Sequence, residues 1–324
     1  MNVAIVSAPP NQCLCDKLAW VADGFRQAGH DVRRCHTLTE VRAADRECDL
    51  LVFDHKNAGV CHNSLVEMAP WRRAKWVQWW RDLIALEPMA PLCEQPYMQS
   101  FLRLMQAMDL VLVKERSLLK GYAELGIHAR WFDQACPEEM PPCEHHERPE
   151  WDVLVLGSTY PQRRQDARAL ADAGFRVLWA GLANSIPPGV EGHPWVHPLE
   201  LPELVSRCGV VLGVDWRCDL PGYTSDRTYL AAGMGACYIA RSIDYGIDSA
   251  PSTPAGEFAS WIYFDQGSLV SAVRTALADR DERERRGLAA REKIMAAHTY
   301  KHRAEQLLAL IDKELQPCGV LQSS

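Results

Sequence analysis

Two short segments of this sequence gather the residue types that hold phosphate. In the first, Gly157-Ser158-Thr159-Tyr160 follows the apolar run from Trp151 to Leu156, and Arg163-Arg164 opens the stretch behind it. Glycine lets backbone amides approach an anion, a helix amino terminus favours negative charge, and an arginine pairs with a diphosphate. A strand-to-helix turn with Gly and Ser is also common without any ligand. The second segment runs Pro221-Gly222-Tyr223-Thr224-Ser225-Asp226-Arg227-Thr228-Tyr229-Leu230 and continues to Gly233 and Gly235. Its order is polar loop, helix start, small residues, glycine, strand. The candidate anion ligands are therefore Gly157, Ser158, Arg163 or Arg164, Arg227 and the Ser225 helix end, with Tyr160 beside them and Gly181 closing the intervening strand.

A group that takes a proton from a hydroxyl must be a carboxylate or an imidazole. Asp54 and His55 sit just past the apolar run Leu50-Leu51-Val52-Phe53, and Asp82 lies beside Trp79 and Trp80. The same positions also suit turn and cap residues. Trp71, Trp76, Trp79 and Trp80 cluster among Arg72, Arg73, Lys75 and Arg81. Flat aromatics fit sugar faces or bases and the cations fit phosphate, yet a packed core with solvated charges gives the same pattern. Cys136, Cys143, His145 and His146 form the one cluster with metal-ligand character. Its spacing is looser than that of zinc pairs and its surroundings are rich in Pro and Glu, so a solvated linker without metal is expected. Cys61-His62, His193 and His197 are expected to serve turns.

These residues need elements to position them. Val3 to Val6, Leu50 to Phe53, Lys75 to Trp79 and Leu110 to Val113 read as strands, separated by amphipathic stretches such as Cys13 to Ala28. The alternation restarts at Trp151 and continues through Arg176–Ala180, Val210–Leu212 and Ala236–Ala240. Strand–helix alternation implies parallel sheets covered on both faces, with ligands at the carboxyl ends of strands. No Gly-x-Gly-x-x-Gly follows the first strand, so no dinucleotide is expected there. The composition shift between Gln134 and Pro149 divides the chain into a first Rossmann-like domain over 1–145 and a second over 150–297. Residues 298–324 form a helical tail, whose Leu307, Leu308 and Ile311 make an apolar stripe.

The second segment and the tail resemble the GT-B glycosyltransferases, in particular the CgeB-like (spore-maturation-protein-like) branch of the group-1 transferases and its phage-encoded relatives. The resemblance rests on Ser225, Arg227, Tyr229, Gly233 and Gly235, and on His298-Thr299-Tyr300-Lys301-His302-Arg303-Ala304. Looser markers are Trp79-Trp80-Arg81-Asp82 and Trp131-Phe132-Asp133-Gln134-Ala135-Cys136-Pro137. It implies an α/β protein of two Rossmann-like domains facing a cleft, with a C-terminal helix crossing back to the first. It also implies a nucleoside-diphosphate sugar, UDP-sugar first, bound by the second domain without a metal, and an acceptor hydroxyl served by the first. Where many retaining relatives carry two glutamates, this sequence has Gly222 and Leu230. The ribose contact then falls to Tyr223, Ser225 or Asp215. The acceptor stays open among a glycan, a small molecule and a modified DNA base, and a catalytically inactive GT-B binding module is the rival of another class.

Composition bounds these readings. At 324 residues the chain suits two domains, and 48% apolar with 24% charged residues excludes disordered and fibrous classes. No run approaches the ~18 apolar residues of a membrane span. The strand at Met1 to Val6 has no basic region before it, and the twelve cysteines form no compact framework, so a cytoplasmic protein with reduced thiols is expected. A net charge of −7 opposes nucleic acid globally, although a local basic patch could still bind it.

Overall fold

A computed structural model describes residues 1–7, 17–54, 62–79, 96–181, 185–215, 223–241 and 257–315. The chain forms two compact units, one of Met1–Asp133 with the segment from Tyr300 on, the other of Gln134–Thr299. Residues 134–145, assigned to the first domain from composition, thus belong to the second unit.

In the first unit the elements run β1 (Asn2–Val6), α1 (Lys17–Gln27), β2 (Asp31–Cys35), α2 (Leu38–Glu47), β3 (Leu50–Asp54), α3 (His62–Met68), β4 (Lys75–Trp79), α4 (Pro96–Ala107), β5 (Leu110–Val113), α5 (Leu119–Glu124) and β6 (Ala129–Trp131). The strands pair in parallel in the order β2-β1-β3-β4-β5-β6. Central strands such as Leu110–Val113 are buried throughout, which is why they read as unbroken apolar runs. The tryptophan cluster does not form one surface. Trp76 is core, tilted against Phe53 and donating its Nε1–H to Asp45 at 2.8 Å, and Trp79 packs edge-on to Phe132. Trp71 alone of the described three is exposed, at 82%, and Arg72 pairs with Asp109 at 2.6 Å. The C-terminal helix, Tyr300–Glu314, packs on α1. Its Leu307 and Ile311 are buried, and the missing side chain of Gly24 admits the Tyr300 carbonyl. Glu314 at its end accepts from Arg130 (2.7 Å) and His128 (3.1 Å). Of the apolar stripe seen in the sequence, Leu307 and Ile311 are used and Leu308 is half-buried.

The second unit contains β7 (Trp151–Leu156), α6 (Pro161–Asp172), β8 (Val177–Ala180), β9 (Val190–His193), α7 (Leu201–Ser206), β10 (Cys208–Gly213), α8 (Asp226–Gly233), β11 (Tyr238–Arg241), β12 (Trp261–Tyr263), α9 (Gln266–Ala278) and α10 (Arg280–Ala297). Its parallel order is β12-β11-β10-β7-β8-β9. Alternate residues face opposite layers, Val153, Val155 and Leu212 meeting α6 and α9, Leu154, Leu156 and Val211 meeting α8 and α10.

The stretch from Gln134 to Pro149 is not a solvated linker. Cys136, Met140 and Cys143 are buried, and the backbone N–H groups of Cys136 and Cys143 donate to His298 (3.0 Å) and Met234 (2.8 Å). Three α10 arginines hold its carbonyls: Arg280 bonds His145 at 3.0 Å, Arg283 bonds His146 at 2.9 Å and Arg291 bonds Met140 at 3.0 Å. His145 Nε2 lies 2.9 Å from the Gly235 carbonyl, and burial pushes the Cys143 thiol up to about 12. Gly233 leaves room for the Cys136 sulfur. Gly233 and Gly235 therefore serve packing of this segment and of α10. Among the described residues no helix is long and apolar enough to cross a membrane.

Candidate functional site

Three strand ends of the second unit converge at Gly157. It takes φ +98°, donates its N–H to Ala180 at 2.8 Å, and accepts at its carbonyl from Trp179 Nε1 at 2.8 Å. Gly181 abuts it so closely that a Cβ there would lie 2.7 Å from the Gly157 oxygen. Gly181 thus fixes Gly157 from behind.

Arg163, on the first turn of α6, is 1% exposed. Its Nε and Nη2 donate to the Val214 carbonyl at 3.2 and 2.5 Å, and its Nη1 donates to the Ser158 carbonyl at 2.5 Å. It ties the loop after β7 to the loop after β10, with the Tyr160 ring 5.1 Å from its guanidinium. Burial, then the neighbouring Arg227 charge, pushes it down to about 9, still a cation at neutral pH. Arg164, one residue on, is exposed beside Arg168 and Pro188 and does not join this cluster.

Ser225 stands at the N-cap of α8 but makes no capping bond. Its Oγ and the Thr224 Oγ1 are buried with no hydrogen-bond partner among the described residues. Arg227 packs against Gly157 and keeps 24% of its side chain exposed. Its Nη2 is 3.7 Å from Asp215 Oδ1, and the other Asp215 oxygen accepts from Ser225 N–H at 3.4 Å. Arg163 and Arg227 set two guanidinium groups about the Asp215 carboxylate, at the positive end of α8, whose first turn also carries Asp226. The chemistry on offer is anion binding.

The structure therefore brings together Gly157, Ser158, Tyr160, Arg163, Asp215, Ser225 and Arg227, with half-buried Tyr223 at the entry to α8. Tyr229 points elsewhere, into the core against Phe258 and His298, and Leu230 is core as well. In the first unit Asp54 closes β3, while its side chain, His55 and Asp82 lie outside the described residues. Two arrangements have no sequence signal. Asp166, buried and with its pKa raised by that burial, accepts from Tyr263 Oη (2.7 Å) and Gln162 Nε2 (2.9 Å), 4.0 Å from Arg241. His36 Nδ1 donates to the Ser7 carbonyl at 3.0 Å, beside the ends of β1 and β2. The sequence also holds one Asp-x-Asp, Asp279-Arg280-Asp281, the pattern with which other glycosyltransferases grip a divalent ion. Here Asp279 caps α10 through Glu282 N–H at 2.9 Å and Asp281 pairs with Arg280, so both carboxylates serve the helix start. Among the described residues no group of three His, Cys, Asp or Glu side chains has metal-binding geometry.

A family model described as glycosyl transferase-like matches residues 142–309, just over half of the chain, and the chain belongs to that family. The fold is GT-B, and the protein is a glycosyltransferase. It is similar to HepE of Anabaena in complex with UDP-glucose, at 10% identity over 97% of this chain and 100% of that one, with a TM-score of 0.64. It is also similar to phage T4 β-glucosyltransferase, at 11% identity over 97% and 99% of the two chains, with a TM-score of 0.65. AviGT4, from avilamycin A biosynthesis, gives 13% identity over 97% and 98%, with a TM-score of 0.58. No curated protein matches the sequence.

Proposed function

We propose that the second unit binds a nucleoside-diphosphate sugar, a UDP-sugar, at the carboxyl ends of β7 and β10. The sugar then passes to an acceptor hydroxyl carried by the first unit. One observation carries this reading: Thr224 and Ser225 bury two unpartnered hydroxyls at the start of α8, beside Arg227. Leaving a hydroxyl so costs roughly 1–3 kcal/mol, and a phosphate at this end would satisfy both. Arg227 and the α8 amides would then stabilise charge on the departing diphosphate, taking the place of a divalent ion. Asp54, His55 and Asp82 are the candidates for the base, and Ser225, Arg227 and Gly233 support placement in the CgeB-like branch. UDP is favoured because HepE was solved with UDP-glucose and a similar DNA-modifying β-glucosyltransferase was solved with and without its substrate uridine diphosphoglucose. The second reading of the acceptor is a modified DNA base, favoured by the likeness to that DNA-modifying enzyme.

Thermal unfolding with and without UDP tests the site. Arg227→Ala should weaken UDP binding by roughly 1.5–3 kcal/mol, the worth of a charge-assisted hydrogen bond. A normally folded Arg227→Ala protein that binds UDP as tightly as wild type overturns the assignment.

A further inference from the structure

We propose that Asp215 is a built-in competitor for the donor diphosphate, a carboxylate that occupies the phosphate ligands between turnovers and speeds diphosphate release. The inference rests on the diphosphate site proposed above.

Asp215 follows β10 and is 12% exposed. Its oxygens face the Ser225 N–H at 3.4 Å and Arg227 Nη2 at 3.7 Å, the groups an incoming anion would use. Both contacts are long. A charge-assisted bond settles at about 2.7–2.9 Å, so neither is at its optimum. The hydroxyls of Thr224 and Ser225 meanwhile stay unpartnered. An amide, a guanidinium and two hydroxyls exceed what this carboxylate satisfies, whereas a phosphate presents three oxygens to them.

Asp215 also cannot move far away. It is bonded to Val214, whose carbonyl is clamped twice by buried Arg163. A bound diphosphate therefore shares its ligands with a negative charge that remains nearby, in surroundings that screen poorly. The repulsion lowers affinity for donor and product alike. Release of the more highly charged free diphosphate gains most. Two other roles are compatible with the position: accepting a hydrogen bond from a donor hydroxyl, or orienting Arg227. Both make Asp215 favourable to binding, which is the opposite sign.

Asp215→Asn decides the sign, because it keeps the shape and an acceptor for Ser225 N–H while removing the charge. UDP titrations should show binding about tenfold tighter than wild type, and because these groups are largely buried and only a few ångströms apart the gain should persist as ionic strength rises. With donor and acceptor, KM and kcat should fall together as product release slows. Asp215→Ser, which removes the charge with a smaller group, should shift UDP affinity in the same direction. Weaker or unchanged UDP binding by these folded variants overturns the competitor role. The underlying site is judged separately, on wild type and Arg227→Ala. If wild type does not bind UDP, or Arg227→Ala binds it equally well, the diphosphate reading itself fails.

Discussion

Gly181 to alanine is the smallest change that should dismantle the site. An added Cβ would lie 2.7 Å from the Gly157 oxygen, 2.8 Å from its Cα and 2.9 Å from its carbonyl carbon, about 0.7 Å inside the 3.4 Å of ordinary contact. Gly157 has nowhere to retreat. Its N–H and carbonyl are held by Ala180 and Trp179, and its far side meets Arg163 and Arg227. Overpacking of this kind costs roughly 1–3 kcal/mol. The backbone adds to it, since φ of +147° at Gly181 disfavours any side chain by about 1–2 kcal/mol. A total of about 3 kcal/mol lowers the melting temperature of a unit this size by about 6–12 °C. Gly174→Ala is the control: φ is +88° but nothing lies within 4 Å of its Cβ, so only the backbone cost, about 1 kcal/mol, applies. Thermal unfolding followed by circular dichroism, with and without UDP, measures both effects. Gly181→Ala should also lose the UDP-induced rise, because Gly157 is displaced. If it melts within a degree or two of Gly174→Ala and keeps that rise, the packing argument fails.

Transfer activity should be unchanged by a chelator; loss in EDTA with recovery on adding manganese would show that Arg227 and the α8 amides do not replace the ion. Glu40 supplies a pH-dependent test of the first unit. Its carboxylate accepts from the backbone N–H groups of His36 (2.6 Å) and Thr37 (2.9 Å), the former being the larger cause of a pKa below the usual 4.5. A carboxyl lowered on folding stabilises above its unfolded pKa, and that stabilisation fades as pH falls through the folded one. Glu40→Gln should therefore lower the urea midpoint at pH 7 and converge with wild type in acid, whereas a difference constant with pH would place the effect elsewhere.

The strands were legible because both their faces are buried, so Leu110–Val113 and Val153–Leu156 read as unbroken apolar runs. The start of α8 was legible too, since Ser225 marks a helix entry. Which side of a helix a residue takes was not. Arg227 and Tyr229 are about 200° apart round α8, so one meets Gly157 while the other enters the core. Arg163 and Arg164 part company for the same reason, separated by about 100°. The segment from Gln134 to Pro149 misled through its composition. Its polar residues suggest solvent, but the arginines that cover it come from 135 to 151 positions later in the chain.

The two units also differ in how far their chemistry can be read. Holding a diphosphate asks for several things at once: a glycine at a strand end, hydroxyls at a helix start, and a cation one turn in. Their co-occurrence over Gly157–Arg163 and Thr224–Arg227 narrows the possibilities quickly, and the family match over 142–309 spans both segments. A general base asks for a single carboxylate or imidazole at a strand end. Turns and caps use the same residues in the same places, as Asp279 does at the start of α10 and Asp265 at the start of α9. Asp279-Arg280-Asp281 shows how weak the inference from a short pattern becomes once local structure satisfies its side chains. Asp54, His55 and Asp82 share that ambiguity, and composition cannot rank them. Separating them requires a kinetic readout: loss of kcat with UDP affinity intact in one variant would identify the group that takes the acceptor's proton, because a cap residue would lower stability instead.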